Sequence, residues 1–314
     1  FLHDLVLSKK FINKSLFELE KIIYLKDKDI KNQSHIFITG LPRSGTTSLL
    51  NFIYSSDHYA SLTYKNMPFI LSPNFSKLFN KKNILKKERL HGDGISNDIN
   101  SPEALDEIFF NNEEEFIKNE LVNYIQLILL SESKDKYLSK NNLNFKRIDL
   151  INSILPNSIF LIPIREPLQH TYSLLNQHLN FSQLQQGNDF IRRYMNYLGH
   201  NEFGLNHKPW NNPINFKDLN DINYWLEQWC LFYKDILKNY QSYDNCFFII
   251  YEELTNQNYL KVLLEKIYFN QVENFNLNYF KNSNKKEIDI DYAKDIYENA
   301  KDIYIDFKYK FMHN

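Results

Sequence analysis

Short apolar runs alternate with amphipathic segments along the chain, and this alternation indicates which parts form strands and which form helices. Continuous apolar runs are typical of buried strands, whereas apolar positions three and four residues apart are typical of helices that cover them. The runs predict strands at 35–39, 60–64, 158–164 and 246–250. The helical spacing predicts helices within 1–34, at 46–55, 101–116, 117–131, 224–237 and 292–307, and from Pro167 onward.

The order of these elements predicts the fold class. Apolar strands that alternate with helices are typical of an α/β protein whose mostly parallel central sheet is flanked by helices. Residues 1–34 are predicted as an N-terminal helix and a charged connector, and residues 35–314 as a single domain. The segment 65–100 is predicted to be rich in loops, and the polar and aromatic segment 181–215 to be irregular.

Charge and composition limit which binding partners and which cellular compartment we expect. The formal net charge is −1, so we expect no binding to nucleic acid, which requires an excess of positive charge. No apolar stretch reaches the ~18–20 residues of a transmembrane helix, and the first residues lack the pattern of a secretory signal. The two cysteines, Cys230 and Cys246, lie in apolar settings, which favours reduced, buried thiols and a cytoplasmic location.

The segment 36–48 combines a strand, a turn and a helix start, and reads Ile-Phe-Ile-Thr-Gly-Leu-Pro-Arg-Ser-Gly-Thr-Thr-Ser. It contains two of only seven glycines and one of only six arginines in the chain. Backbone N–H groups converge in such a turn, which predicts an anion site. The glycine spacing matches that of nucleoside-triphosphate loops, but Thr46 replaces the lysine that contacts the transferred phosphates in those loops. The pattern therefore disfavours a kinase.

A second segment repeats this order of elements. The predicted strand 158–164 leads to Arg165, and the following helix carries Ser173 in its second turn. Ligands bind at the carboxyl ends of strands in open α/β sheets, and an arginine fork can hold a phosphate bidentately. The two segments together predict a nucleotide with phosphates at two positions of the ribose.

Residues 42–47, Pro-Arg-Ser-Gly-Thr-Thr, resemble the loop with which sulfotransferases bind the 5'-phosphosulfate of 3'-phosphoadenosine 5'-phosphosulfate. The resemblance covers about residues 35–280 and implies a P-loop-like sulfotransferase fold, this nucleotide as co-substrate and no metal. It implies that the 5'-phosphate is held by Ser44, Gly45, Thr46 and Thr47. It further implies that Arg43 and Lys140 stabilise charge in the transition state, that Arg165 and Ser173 bind the 3'-phosphate, and that Tyr251 lies near the nucleotide.

The base that takes the proton of the sulfate acceptor has four candidates. His91 lies in a His-Gly-Asp-Gly turn, and the ordinary pKa of histidine, about 6.5, suits proton abstraction at neutral pH. The resemblance to cytosolic sulfotransferases favours His91, because their histidine base lies at a similar distance from the phosphate loop. Glu103, Asp93 and Glu107 are the alternatives, although an acid at 103 is also explained by the start of the predicted helix 101–116.

The segment 177–207 is the predicted acceptor side, because sulfotransferases often form their acceptor pocket after the helix of the 3'-phosphate site. Its polar and aromatic residues suit a carbohydrate, lipid or small-molecule acceptor. It contains three histidines, His178, His200 and His207, but their spacing fits no standard zinc site. The competing hypotheses are a P-loop nucleotide kinase and a non-catalytic, nucleotide-binding member of the fold.

Overall fold

A parallel sheet forms the centre of the computed structural model, which describes residues 2–25, 29–79, 87–88, 96–267, 272–281 and 287–311. The strands are β1 (Ile36–Ile38), β2 (Tyr59–Ala60), β3 (Lys87–Glu88), β4 (Ser96–Asn97), β5 (Lys136–Lys140), β6 (Ile159–Ile164) and β7 (Cys246–Ile250). The central sheet has the strand order β2-β5-β1-β6-β7, and every neighbouring pair in it is parallel. β3 and β4 form a separate antiparallel pair. The predicted α/β fold class is confirmed.

The side chains of the central strands alternate between two hydrophobic cores, one on each face of the sheet. Phe37 of β1 lies in one core, where its ring stacks on that of Phe160 of β6 with 5.6 Å between the centroids. Its neighbours Ile36 and Ile38 are buried in the other core, together with Leu161. Because both faces are covered, the sequences of β1, β6 and β7 are apolar at every position, as is typical of parallel sheets.

Helices supply the outer layers of both cores. Within the described residues they are α1 (Leu2–Ser8), α2 (Lys10–Tyr24), α3 (Thr46–Tyr54), α4 (Glu107–Phe110), α5 (Glu114–Glu132), α6 (Ile148–Ile154), α7 (Pro167–Gly187), α8 (Asp189–Tyr197), α9 (Ile222–Tyr240), α10 (Gln257–Lys266) and α11 (Lys294–Phe311). α5, α7, α9 and α11 pack in the core that contains Phe37, and α3 and α10 pack in the other. None of these helices combines the length and the apolar character needed to cross a bilayer.

Buried contacts join the N-terminal helix α2 to the rest of the chain. Its residue Phe17 is fully buried. The buried carboxylate of Glu20 accepts hydrogen bonds from the backbone N–H groups of Asn74 and Phe75 at 3.0 and 2.9 Å. Burial raises the pKa of Glu20, and the hydrogen bonds to it act in the opposite direction. The division of the chain into 1–34 and 35–314 stays a prediction.

The prediction of a helix at 101–116 is wrong. Residues 101–106 are not helical, and Pro102 instead forms an antiparallel bridge with Thr63. The N–H of Glu103 donates to the carbonyl of Leu62 at 3.0 Å. Helical structure begins only with the short α4, and α5 begins at Glu114. A helix start therefore does not explain the acidic residue at 103.

Three further segments differ from their predictions. β5 was not predicted, although it lies between β1 and β2 in the central sheet. The strand predicted at 60–64 ends at Ala60. The segment 181–215 is not irregular throughout, because α7 continues to Gly187 and α8 follows it. α8 has no fully buried residue, but its side chains Tyr194, Met195 and Tyr197 are partly buried against the core.

Candidate active site

The turn between β1 and α3 has a backbone conformation that few residues adopt. Gly45, directly before α3, has a φ of +101°, and Arg43 has a φ of +69°. A positive φ costs a non-glycine residue about 1–3 kcal/mol, and such strain is common at ligand-binding sites. Gly45 has no side chain to cap α3, and the first N–H groups of a helix point toward the turn that precedes it. This arrangement suits an anion.

The hydroxyl residues of the turn are deeply placed. Ser44 is fully buried, and Thr46 and Thr47 are 3% and 7% exposed. The hydroxyl of Ser44 donates to the carbonyl of Leu41 at 2.7 Å, so in this structure it stabilises the turn itself. The groups that the turn offers to an anion are therefore its backbone N–H groups and not the hydroxyl of Ser44.

A buried histidine stabilises the turn between β1 and α3 through a hydrogen bond. In α7, His170 is fully buried; its Nε2 donates to the carbonyl of Pro42 at 2.8 Å, and its Nδ1 accepts the indole N–H of Trp229 at 3.1 Å. A carbonyl only accepts and an indole N–H only donates, so the two bonds fix the neutral tautomer. Burial, with a contribution from the charges of Arg165 and Arg43, lowers the pKa of His170 to about 3. No pattern in the sequence indicated this role for His170.

Arg43 and Arg165 meet at the carboxyl edge of the sheet, although 122 residues separate them in the sequence. Arg165 Nη1 donates to the carbonyl oxygen of Arg43 at 3.3 Å. Arg43 Nε donates to Oγ of Ser173 at 3.1 Å. The contact follows from the topology, because the turn and Arg165 follow the ends of the adjacent parallel strands β1 and β6. The two predicted phosphate segments thus lie side by side.

Tyr251, which directly follows β7, lies against both Arg165 and Gly45. The guanidinium carbon of Arg165 lies 5.3 Å from the centroid of the Tyr251 ring, within the range of a cation–π contact. The ring also lies directly against Gly45. A Cβ atom at Gly45 would be 2.3 Å from Cδ2 of Tyr251, so this close approach requires glycine.

Two carboxylates hold the backbone that directly follows Arg165. Glu252 accepts a hydrogen bond from the N–H of Glu166 at 2.9 Å and another from the hydroxyl of Tyr304 at 2.6 Å. Glu166 in turn accepts the N–H of Gln169 at 2.7 Å and so caps the N-terminus of α7. These bonds join β6, β7 and α11 at the position where the guanidinium of Arg165 leaves the sheet.

Lys140 ends β5 beside the turn between β1 and α3. It is 8% exposed and lies opposite Ile38 of β1. The N–H of Asn141 donates to the carbonyl of Ile38 at 3.0 Å, and the hydroxyl of Thr39 donates to the carbonyl of Asn142 at 3.4 Å. The end of β5 is therefore in direct contact with the residues that lead into the turn.

The four candidates for the base have different surroundings. His91 and Asp93 lie outside the described residues. Glu103 uses both of its oxygens as hydrogen-bond acceptors: Oε2 accepts the hydroxyl of Tyr64 at 2.7 Å, and Oε1 accepts the N–H of Ala104 at 2.9 Å. These bonds anchor its carboxylate to the segment around the antiparallel bridge.

Glu107, the fourth candidate, forms a bidentate ion pair with Arg147, with both distances at 2.8 Å. The adjacent Asp106 is buried and accepts hydrogen bonds from the hydroxyls of Ser139 and Tyr137. Burial raises the pKa of Asp106 to about 6; the Ser139 hydrogen bond lowers it and the charge of Glu107 raises it further. Asp106 was not recognised from the sequence, because its partners Tyr137 and Ser139 lie on β5, which was not predicted.

The three histidines of the predicted acceptor side do not come together. His178 Nδ1 accepts the N–H of Gly204 at 3.3 Å, and its ring lies 5.6 Å from that of His207. Burial lowers the pKa of His178 to about 4 and also lowers that of His207. His200 contacts the carbonyl of Ala104 instead. In the part of the chain that the structure describes, no cluster of His, Cys, Asp and Glu could hold a metal ion.

The chain is similar to known sulfotransferases in sequence and in fold. The model of the sulfotransferase family matches residues 35–262, which is most of the chain. Among solved structures, the chain is similar to the sulfotransferase STF1 from Mycobacterium tuberculosis H37Rv, with a TM-score of 0.50 and 12% identity over 84% of this chain and 75% of that chain. It is also similar to the sulfotransferase STF9 from Mycobacterium avium, with a TM-score of 0.49 and 11% identity over 98% of this chain and 83% of that chain. No curated protein matches the chain.

Proposed function

Because the chain belongs to the sulfotransferase family, we propose that it transfers a sulfuryl group from 3'-phosphoadenosine 5'-phosphosulfate to a hydroxyl or amine of a carbohydrate, lipid or small molecule. Family membership alone specifies neither the sulfuryl donor nor the type of acceptor. The groups that meet at the carboxyl edge of the sheet support the proposed donor.

The observation that carries the proposal is the contact between Arg165 and the carbonyl of Arg43 at 3.3 Å. It joins two segments that each contain anion-binding groups and that come from different strands. A nucleotide with phosphates at both the 5' and the 3' position of one ribose needs two such segments within reach of one small molecule. A nucleoside triphosphate, whose phosphates form a single chain, does not need the second segment.

Each part of the proposed donor has a counterpart in the chain. The N–H groups of residues 44–47, at the N-terminus of α3, suit the 5'-phosphate. The guanidinium of Arg165, with Ser173 nearby, suits the 3'-phosphate. Tyr251 lies between these groups, against Gly45 on one side and Arg165 on the other, which supports its predicted position near the nucleotide.

The proposed reaction is an in-line displacement at sulfur. A bond forms between the acceptor oxygen or nitrogen and sulfur, and the bond from sulfur to the phosphate oxygen breaks with its electron pair on the phosphate. Arg43 and Lys140 would stabilise the charge on that oxygen. The acceptor proton passes to a base, for which His91 stays our first candidate. The hydrogen bonds to both oxygens of Glu103 and of Glu107 count against these two.

Calorimetry on the full chain tests the donor. We expect 3'-phosphoadenosine 5'-phosphate to bind without magnesium, and ATP to bind weakly with or without it. Tight, magnesium-dependent binding of ATP together with no binding of the bisphosphate would overturn the proposal and favour a kinase.

Radiolabelled donor tests the transfer itself. With 35S-labelled 3'-phosphoadenosine 5'-phosphosulfate and extracts that contain carbohydrates, lipids and small metabolites, we expect label to appear in an acceptor. Tight binding of the bisphosphate without any transfer of label would favour a non-catalytic, nucleotide-binding member of the fold.

A further inference from the structure

The carboxylate of Asp106 binds three alternate residues at the end of β5. Its Oδ2 accepts the hydroxyl of Ser139 and, at 3.3 Å, the hydroxyl of Tyr137. Its Oδ1 accepts Nδ2 of Asn141, the residue directly after β5, at 3.1 Å. Side chains two residues apart in a strand lie on the same face of the sheet. One buried carboxylate therefore holds a whole face of this strand end.

Further bonds hold Asn141 from two sides. Its Nδ2 also donates to Oε2 of Glu107 at 2.8 Å, and Glu107 is itself fixed by the bidentate ion pair with Arg147. On the other side, the N–H of Asn141 donates to the carbonyl of Ile38 in β1 at 3.0 Å. The residue that follows Lys140 is thus fixed through both its side chain and its backbone.

Lys140 lies between Ser139 and Asn141, on the opposite face of the sheet. It is paired in register with Ile38 of β1, whose side chain is buried in the core that contains α3. Leu138, two residues earlier, is buried in the same core. α3 begins at the turn whose N–H groups suit the 5'-phosphate. Because side chains alternate along a strand, the bonds that hold Ser139 and Asn141 on one face keep Lys140 on the face of α3.

A carboxylate is an unfavourable group to bury at this position unless its hydrogen bonds are needed. Its charge loses hydration, and burial raises the pKa of Asp106 to about 6. An apolar side chain would fill the same space without this penalty. A carboxylate adds two oxygens that accept directed hydrogen bonds, and a satisfied network of this kind fixes one arrangement of the residues that it joins. The arrangement fixed here is the orientation of the end of β5.

We propose that Asp106 is a positioning residue for the sulfuryl transfer and that it acts through Lys140. By holding Ser139 and Asn141, it keeps Lys140 beside the N-terminus of α3, where the ammonium group binds the 5'-phosphate of the nucleotide. The inference rests on the proposed function, because the 5'-phosphate belongs to the proposed donor. Asp106 is 2% exposed and both of its oxygens are hydrogen-bonded within the chain, so it does not contact the nucleotide itself.

Calorimetry on the full chain at pH 8 tests this role with two nucleotides. 3'-Phosphoadenosine 5'-phosphate and adenosine 3'-phosphate differ only in the 5'-phosphate, and the first carries on that phosphate the charge that the leaving group acquires. We expect Lys140→Ala to weaken the bisphosphate relative to adenosine 3'-phosphate by about tenfold or more, as for a hydrogen bond between charged groups. We expect Asp106→Ala to weaken it in the same sense by about three- to tenfold.

The direction of the change separates positioning from charge. Asp106 is ionised at pH 8, above its pKa of about 6, and removal of a negative charge would by itself strengthen the binding of an anion. Weaker binding of the bisphosphate in Asp106→Ala therefore indicates that Lys140 has been displaced.

A double variant tests whether Asp106 acts through Lys140. When residue 140 is already alanine, Asp106→Ala should change the ratio of the two Kd values by less than about twofold, because residues that act as a unit have non-additive effects. Ser139→Ala removes one bond to Asp106 without changing the charge and should weaken the bisphosphate relative to adenosine 3'-phosphate by about twofold or more. Ser131→Ala is the matched control. Its hydroxyl is also buried but donates to the carbonyl of Ile128 within α5 at 2.8 Å, so neither Kd should change.

Four results would overturn the proposal. In three of them Asp106→Ala weakens both nucleotides alike, does not weaken the bisphosphate, or has its full effect in the Lys140→Ala background. In the fourth, Lys140→Ala leaves the ratio of the two Kd values unchanged, so that Asp106 has nothing to position. If Asp106→Ala does not fold, Ser139→Ala replaces it and the same results decide. An unmodified protein that does not bind the bisphosphate refutes the proposed donor, whereas any of the four results with intact binding in the unmodified protein refutes only the positioning role.

Discussion

Replacing Arg165 by alanine tests the two-phosphate site most directly. The contacts of this guanidinium with the Tyr251 ring at 5.3 Å and with the Arg43 carbonyl at 3.3 Å hold it in place before a ligand binds. A hydrogen bond between a charged group and a phosphate contributes about 1.5–3 kcal/mol, and about 1.4 kcal/mol corresponds to tenfold in affinity. We therefore expect Arg165→Ala to weaken the contact with the 3'-phosphate by about 10- to 100-fold.

Calorimetry with a matched pair of nucleotides isolates this contact. 3'-Phosphoadenosine 5'-phosphate and adenosine 5'-phosphate differ only in the 3'-phosphate, so the expected loss is the ratio of the two changes in Kd. If loss of the bond to the Arg43 carbonyl disturbs the turn, the affinities of both nucleotides change alike, and this effect cancels in the ratio of the two Kd changes. Arg165→Lys keeps the charge without the fork and should lie between the unmodified protein and Arg165→Ala; Arg193→Ala, at an exposed position of α8, should change neither Kd. Equal losses of both nucleotides in Arg165→Ala would refute the assignment.

Three further predictions concern the stability of the site. Gly45→Ala should lower the free energy of unfolding by about 2–4 kcal/mol in denaturant titrations, because it combines a φ of +101° with a Cβ atom 2.3 Å from the Tyr251 ring. The control is Gly187→Ala, where a Cβ meets nothing within 4 Å; its free energy of unfolding should lie within about 0.5 kcal/mol of that of the unmodified protein. Equal effects of the two substitutions would contradict the reasoning. His170→Ala leaves a buried carbonyl and a buried indole N–H without their partner, so it should cost about 2–4 kcal/mol and weaken nucleotide binding, and His170→Gln should recover part of both. The pKa of Asp106 is raised from 3.8 to about 6, so the stability that its protonated form contributes is fully present below pH 4 and is lost as the pH rises through 6. The stability of the unmodified protein relative to Asp106→Asn should accordingly fall by about 2 kcal/mol between pH 4 and pH 7, and parallel pH profiles of the two proteins would show that Asp106 titrates normally.

The sequence was sufficient for the parts of the fold whose signal is local. β1, β6 and β7 are continuous apolar runs between polar segments, and the turn before α3 carries glycine at the position where the backbone has a φ of +101°. Parallel topology then places the ends of adjacent strands at one edge of the sheet. The meeting of Arg43 with Arg165 was therefore predictable once β1 and β6 were expected in the same sheet.

The errors occur where contacts distant in sequence decide the local structure. β5 has a lysine at each end and Ser139 in its interior, so it does not read as a buried strand; pairing with β1 and the hydrogen bond from Ser139 to Asp106 make it one. At 101–103, the hydroxyl of Ser101 accepts the N–H of Asp98 at 2.9 Å, so it caps a turn before it and not a helix after it. Helix propensity predicted a helix there, but the bridge to Thr63 determines the conformation of this segment.

The neutrality of His170 avoids a third positive charge beside the two arginines at this edge of the sheet. Arg43 and Arg165 lie in contact, and protonation of the imidazole beneath the turn would add a third positive charge. Burial is the largest cause of its lowered pKa, ahead of the two arginines, so neutralising their charge with a bound anion does not remove the main reason for its neutrality. We therefore expect the bonds from His170 to the Pro42 carbonyl and from Trp229 to His170 to stay in place when a ligand binds. Neutral groups thus hold the turn in its strained conformation. The positive charges of Arg43 and Arg165 stay directed at the place where a phosphate would bind.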